Sequence, residues 1–214
     1  MSTGGDTSSE TVDSSEATPS VAVFHAADGS LVAEVNPPID NDALLRLVTT
    51  ARTRGIEAIW VSGRRFSGAP LGFKRRRGYA RLQSTCVPVE VDTARPPLSV
   101  VPELQTACRS GVWGHHRPAT EADPDATFVG LYESGEWIGI CEVDLERNQI
   151  DSPGLRAPFR TADRYARLVR EASSLLTAGR MTLETWGDTE AVLDTYRALG
   201  FVLVEYVPGW ELAI

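Results

Sequence analysis

The sequence predicts an α/β protein in which helices flank a mixed β-sheet. Three observations predict it. Short runs with period-two alternation, such as Trp137–Asp144, are interspersed with a stretch carrying Tyr165, Leu168, Val169, Ala172, Leu175 and Leu176 at helical spacing. Turn signals at Asp28-Gly29 and Glu133-Ser134-Gly135 join strands into hairpins, whereas strand–helix–strand passages call for parallel neighbours. Leu-Gly-Phe occurs twice, at Leu71-Gly72-Phe73 and Leu199-Gly200-Phe201, each time before a strand that contains aromatic residues.

The elements follow in order. Residues 1–19 are Ser, Thr, Gly and acid, too polar to offset their chain entropy, and read as a disordered tail. Val21–Phe24 and Leu31–Val35 form the first hairpin, and Asp40 or Asn41 caps a helix bearing Leu44, Leu47, Val48 and Ala51. Gly55 ends that helix, and Ile56–Val61 is apolar enough for a central strand. Lys74-Arg75-Arg76-Arg77 reads as a solvated edge strand, where charge discourages further pairing. Residues 92–99, with Pro96 and Pro97, read as a linker. A helix over Pro102–Arg109, the hairpin Thr127–Asp144 and a short strand at Gln149–Asp151 follow, and Ser152-Pro153-Gly154 breaks that strand. A helix from about Ala162, the strand Met181–Trp186, a final helix capped by Asp188 and stopped at Gly200, and the strand Phe201–Leu212 complete the chain. Residues 20–91 thus form a truncated unit and residues 98–214 a complete one.

Composition narrows the function. With 42% hydrophobic and 23% charged residues, the 214-residue chain belongs to the soluble globular class. Its net charge is −8, and acidic residues of the tail (Asp6, Glu10, Asp13, Glu16) supply half of it. Nucleic acid as a partner is disfavoured, since binding it requires Lys and Arg to neutralise phosphates. No apolar run approaches the ~20 residues of a membrane span. The N-terminus lacks the basic start and apolar centre of an export signal, so a cytoplasmic location is expected. Three cysteines, Cys86, Cys108 and Cys141, lack metal-ligand spacing, so no metal is expected.

The order of elements, with Tyr196-x-x-Leu199-Gly200-Phe201, the strand holding Leu183-Glu184 and the passage Ile150–Ala172, resembles the GNAT superfamily of acyl-CoA N-acyltransferases. The whole looks like a shortened tandem-GNAT protein of the mycothiol synthase kind. The resemblance implies an acyl-CoA co-substrate, acetyl-CoA or another, lying between two parting parallel strands, with its pyrophosphate on a helix N-terminus. It also implies an amine acceptor on a small molecule or protein. Arg160, Thr161, Ala162, Asp163 and Arg164 match the phosphate loop, although Asp163 and Tyr165 stand where the family uses small residues. A carboxylate there opposes phosphate unless Arg156, Arg160 and Arg164 compensate. Tyr196 matches the family's proton donor.

For the base, Asp151 and Glu184 are the candidates, with Glu142 and Asp144 nearby; a structural role is the commoner one for such carboxylates. Trp113, His115 and His116 lie where the family places its acceptor pocket, or are ordinary surface residues. A non-catalytic GNAT fold serving in binding or assembly is the alternative, and an exposed sheet edge leaves a homo-oligomer open.

Overall fold

The computed structural model describes residues 20–214 apart from 27, 37–38, 64–65, 67–70, 111 and 113–118. The tail and the expected acceptor residues Trp113, His115 and His116 therefore lie outside the described residues.

The first hairpin consists of β1 (Ser20–His25) and β2 (Leu31–Asn36), paired antiparallel. Helix α1 (Asn41–Thr53) begins where the Asp40 side chain accepts from the Ala43 N–H at 2.6 Å. Its stripe of Leu44, Val48 and Ala51 packs on Ala33, Val35, Ile59 and Val61, so burial of that face fixes its orientation. Strand β3 (Ala58–Ser62) runs parallel to β2, and β4 (Lys74–Ser84) follows. Helix α2 (Val101–Arg109) precedes β5 (Thr127–Glu133), β6 (Glu136–Asp144) and β7 (Gln149–Leu155). Helix α3 (Ala162–Ser173), β8 (Met181–Trp186), α4 (Glu190–Ala198) and β9 (Val202–Ala213) complete the order.

All nine described strands join one sheet in the order β1-β2-β3-β9-β4-β8-β7-β6-β5. The strands of residues 20–91 and 98–214 interleave, because β9 pairs antiparallel with both β3 and β4, and β4 pairs with β8. Residues 92–99 are docked as well: the Gly130 N–H donates to the Ala94 carbonyl at 2.9 Å.

Alternation along the strands assigns the helices to faces. Val129, Leu131 and Val143 belong to the core with α3 and α4, containing Leu168, Val169, Leu193 and Tyr196. Phe128 and Ile140 instead pack with Val101, Leu104 and Cys108 of α2. Helix α2 thus covers the face opposite α3 and α4.

Two expectations need correction. The basic run does not lie on an edge strand of the sheet, because β4 sits between β9 and β8. Its pairing with β8 begins only at Tyr79, so Lys74–Arg76 have β9 alone beside them, and Arg76 pairs with Glu211 at 3.0 Å. Ser152-Pro153-Gly154 also does not end β7. Ser152 takes a left-handed φ of 48° at a register shift, and the strand resumes through Leu155. The segment is a bulge that bends the strand rather than a break.

Candidate active site

Strands β7 and β8 are parallel over three pairs, Gln149–Thr182, Ile150–Leu183 and Asp151–Glu184. Beyond Asp151 the bulge at Ser152 carries β7 away, and the ladder stops. The fork is lined by Ser152, Pro153 and Gly154 on one side and Thr185 and Trp186 on the other. Cys108, Arg109 and Val112 close it from the end of α2, leaving a cavity of about 20 Å³, room for about one water. Gly154 permits this approach: a Cβ there would lie 3.0 Å from Cys108 Cβ.

At the mouth of the fork, register aligns three carboxylates. Glu142 of β6 faces Asp151 of β7, which faces Glu184 of β8. The row continues to Arg81 of β4 and Glu205 of β9, which form an ion pair. Arg81 Nε lies 4.0 Å from Glu184 Oε1, and the Ser152 hydroxyl donates to Asp151 at 2.8 Å. Partial burial, and then the neighbouring Asp151 charge, hold Glu142 above the ordinary carboxylate range. Tyr79 and Trp186 share this face, their rings 4.9 Å apart. Burial, and then the Glu184 carboxylate, push the Tyr79 phenol up, so it stays protonated.

The N-terminus of α3 follows the fork. Thr161 is its cap, accepting from the Arg164 N–H at 3.4 Å, and Ala162 and Asp163 are exposed. The three arginines expected to serve a phosphate have protein partners. Arg160 donates to the carbonyls of Leu155, Cys108 and Ser110 at 3.0, 3.1 and 2.5 Å, clamping α2 over the end of β7. Arg164 donates twice to Glu133, at 3.0 and 2.9 Å, and Arg156 faces Glu103 and Glu136.

Tyr196 is fully buried rather than posted at the fork. Its hydroxyl donates to Asp188 Oδ2 at 3.0 Å, and the same oxygen accepts from Thr185 at 2.5 Å. Thr185 and Glu184 are successive residues of β8 and point to opposite faces. Asp151 and Glu184 therefore meet on one face, while the phenol expected to join them lies behind the sheet. Nor does Asp188 cap α4: Thr189 does, accepting from the Val192 N–H at 3.2 Å. Burial pushes Asp188 up to about 6, although its hydrogen bonds from Thr185 and Tyr196 favour the charged form.

Comparison with solved structures places this architecture. A GCN5-related N-acetyltransferase from Sphaerobacter thermophilus superposes with a TM-score of 0.56 at 14% identity, covering 91% of this chain and 76% of the other. Another GCN5-related N-acetyltransferase, from Kribbella flavida, gives 0.52 at 15% identity, over 86% of this chain and 80% of the other. The chain has the GNAT fold. A conserved protein of unknown function from Staphylococcus epidermidis shares it, with a TM-score of 0.51 at 12% identity over 86% and 84% of the two chains. No protein-family model matches the sequence, and no curated protein does either.

Within this GNAT fold two residues take places the sequence does not announce outright: Tyr79 on the face of the carboxylate row, and Asp188, expected only as a helix cap. Tyr79 carried a signal, a Tyr-x-Arg alternation that sets a phenol and a guanidinium on one face of a strand. The inward turn of Tyr196 was also signalled, since Leu193 and Tyr196 share a helical stripe. Among the described residues no cluster of His, Cys, Asp and Glu suits a metal ion, and no helix is long and apolar enough to cross a membrane.

Proposed function

We propose that the chain is an N-acyltransferase that moves an acyl group from acyl-CoA, with acetyl-CoA the first donor to test, to an amine on a small molecule or protein. The observation that supports it best is the fork of β7 and β8 with Asp151 and Glu184 at its last paired position and Glu142 beside them. An ammonium near pKa 10.4 is drawn to adjacent carboxylates and cannot attack until it loses a proton. Asp151 or Glu184 takes that proton, directly or through one water. The freed amine attacks the thioester carbonyl; as the C–N bond is completed and the C–S bond breaks, the nitrogen sheds its second proton to water and the thiolate takes one up. Tyr79, partly exposed on the same face, is the donor for that last transfer, in place of the buried Tyr196.

The coenzyme arm needs more room than about 20 Å³, so binding requires the end of α2 to lift from the fork. Arg160 is the clamp that must yield, and once released its guanidinium can meet pyrophosphate. Calorimetry with acetyl-CoA, followed by acylation of a panel of amines, tests the reading. Saturable binding with transfer that Tyr79→Phe slows more than Tyr196→Phe supports it, and no detectable binding at millimolar coenzyme ends it.

The closed fork and the Tyr196–Asp188 hydrogen bond favour a second reading, a non-catalytic GNAT fold used in binding or assembly. It predicts that neither tyrosine substitution affects the protein's role in the cell.

A further inference from the structure

A second cavity, of about 460 Å³, lies away from the fork. It opens at the start of β8, whose Met181 contributes to it, whereas the fork begins at Thr185, roughly 13 Å along the strand. Its volume falls in the range of small-molecule sites. Leu199 and Phe201 form part of its floor, and the extended segment after β4 supplies Val87 and Val89 as a wall. Those valines are 75% and 74% exposed, an unusual amount of apolar surface left open to water on a cavity wall. The polar lining comes from Arg170, Ser173 and the Cys86 thiol.

Arg170 decides the ligand's charge. Its neighbours on the same helix are committed, Arg164 to Glu133 and Arg167 to Glu133 and Glu171. Arg170 has no ion-pair partner among the described residues, in a chain whose net charge is −8. A cation lining an apolar cavity complements an alkyl chain that ends in an anion, of which a carboxylate is the simplest.

We infer that this cavity binds a free fatty-acid-like amphiphile, its carboxylate on the Arg170 guanidinium and its chain between Val87, Val89, Met181, Leu199 and Phe201. The site is independent of any acyl transfer at the fork. Gly200 leaves space for the Cys86 thiol, since a Cβ there would fall 2.6 Å from Cys86 Sγ. Cys86 is the exposed cysteine, whereas Cys108 and Cys141 are buried with their thiols pushed up by burial, so Cys86 reports occupancy.

The experiment follows maleimide alkylation of Cys86 by intact mass in the 214-residue chain, with decanoate or decylamine below their micelle concentrations or decanol below its solubility limit. Saturating decanoate is expected to slow alkylation roughly tenfold or more, decanol to protect only at higher concentration, and decylamine not to protect. Arg170→Gln should shift the decanoate midpoint upward by roughly tenfold. Val89→Glu, a change at an exposed position, should abolish protection. The inference is overturned if decanoate leaves the rate unchanged, if decylamine protects as well as decanoate, or if Arg170→Gln keeps the wild-type midpoint.

Discussion

Replacing Asp188 by asparagine removes a buried charge while keeping a side chain of the same shape. The wild-type carboxyl is buried on the α4 side of the sheet, where Thr185 and Tyr196 donate to one of its oxygens. Burial dominates these two hydrogen bonds and lifts the group from 3.8 to about 6. An acid whose folded value exceeds its unfolded value binds its proton more tightly in the folded protein. Its stabilising contribution is therefore complete below about pH 4 and is lost as pH rises through about 6. The interval between 3.8 and about 6 corresponds to about 3 kcal/mol. Urea unfolding of wild type and Asp188→Asn, from about pH 4 to about pH 8, isolates this contribution, since other titrating groups are common to both. The stability of the variant relative to wild type should rise by about 2 kcal/mol across that range, since the unfolded carboxyl is already half ionised near pH 4. Parallel pH profiles for the two proteins would refute the assignment of a buried, upward-shifted Asp188.

Four further outcomes follow from the geometry. Arg160→Ala removes three donor bonds to carbonyls and should cost about 2 kcal/mol, with faster amide exchange at Thr106–Ser110 by mass spectrometry. Gly78→Ala sets a Cβ 1.9 Å from the Val207 carbonyl oxygen, and chemical denaturation should show a loss of about 3 kcal/mol or more. Asp163→Gly removes an exposed carboxylate from the first turn of α3; calorimetry should show acetyl-CoA binding tighter by roughly fivefold, the Coulomb effect of one water-screened charge near 4 Å. Asp151→Asn combined with Glu184→Gln should lower the turnover of an amine acceptor by roughly a hundredfold in a coupled thiol-release assay, with little change in melting temperature.

Local chemistry made much of this architecture legible. Asp40 caps α1 as its position before an apolar stripe implied, and Gly200 ends α4 with a φ of 88°. The Phe201 N–H returns to the Tyr196 carbonyl at 3.1 Å, the closing bond of a glycine-stopped helix. Gly72, in the earlier Leu-Gly-Phe, has a φ of 84°, so both glycines take the left-handed conformation. What the sequence concealed was long-range. The basic run Lys74–Arg77 carries the composition of an edge, yet β9 and β8 flank its strand because partner choice depends on segments more than a hundred residues away. Pro153 reads as a breaker, but a bulge tolerates proline, and β6 pairs with β7 on either side of it. The row Glu142–Asp151–Glu184 is spread over three strands, and only their register brings the carboxylates together. Asp188 stands beside a helix start, where capping is the default reading. Its actual partners are Thr185, three residues back on β8, and Tyr196, eight residues on in α4.

The position of β9 bears on how the molecule is made. It is synthesised after every strand it touches, yet it fills the gap between β3 and β4. Until it emerges from the ribosome, the early half exposes two unzipped backbone ladders, a state open to mispairing with other nascent chains. Closure of the sheet is then a late insertion between β3 and β4, the kind of long-range pairing whose loop-closure cost slows folding.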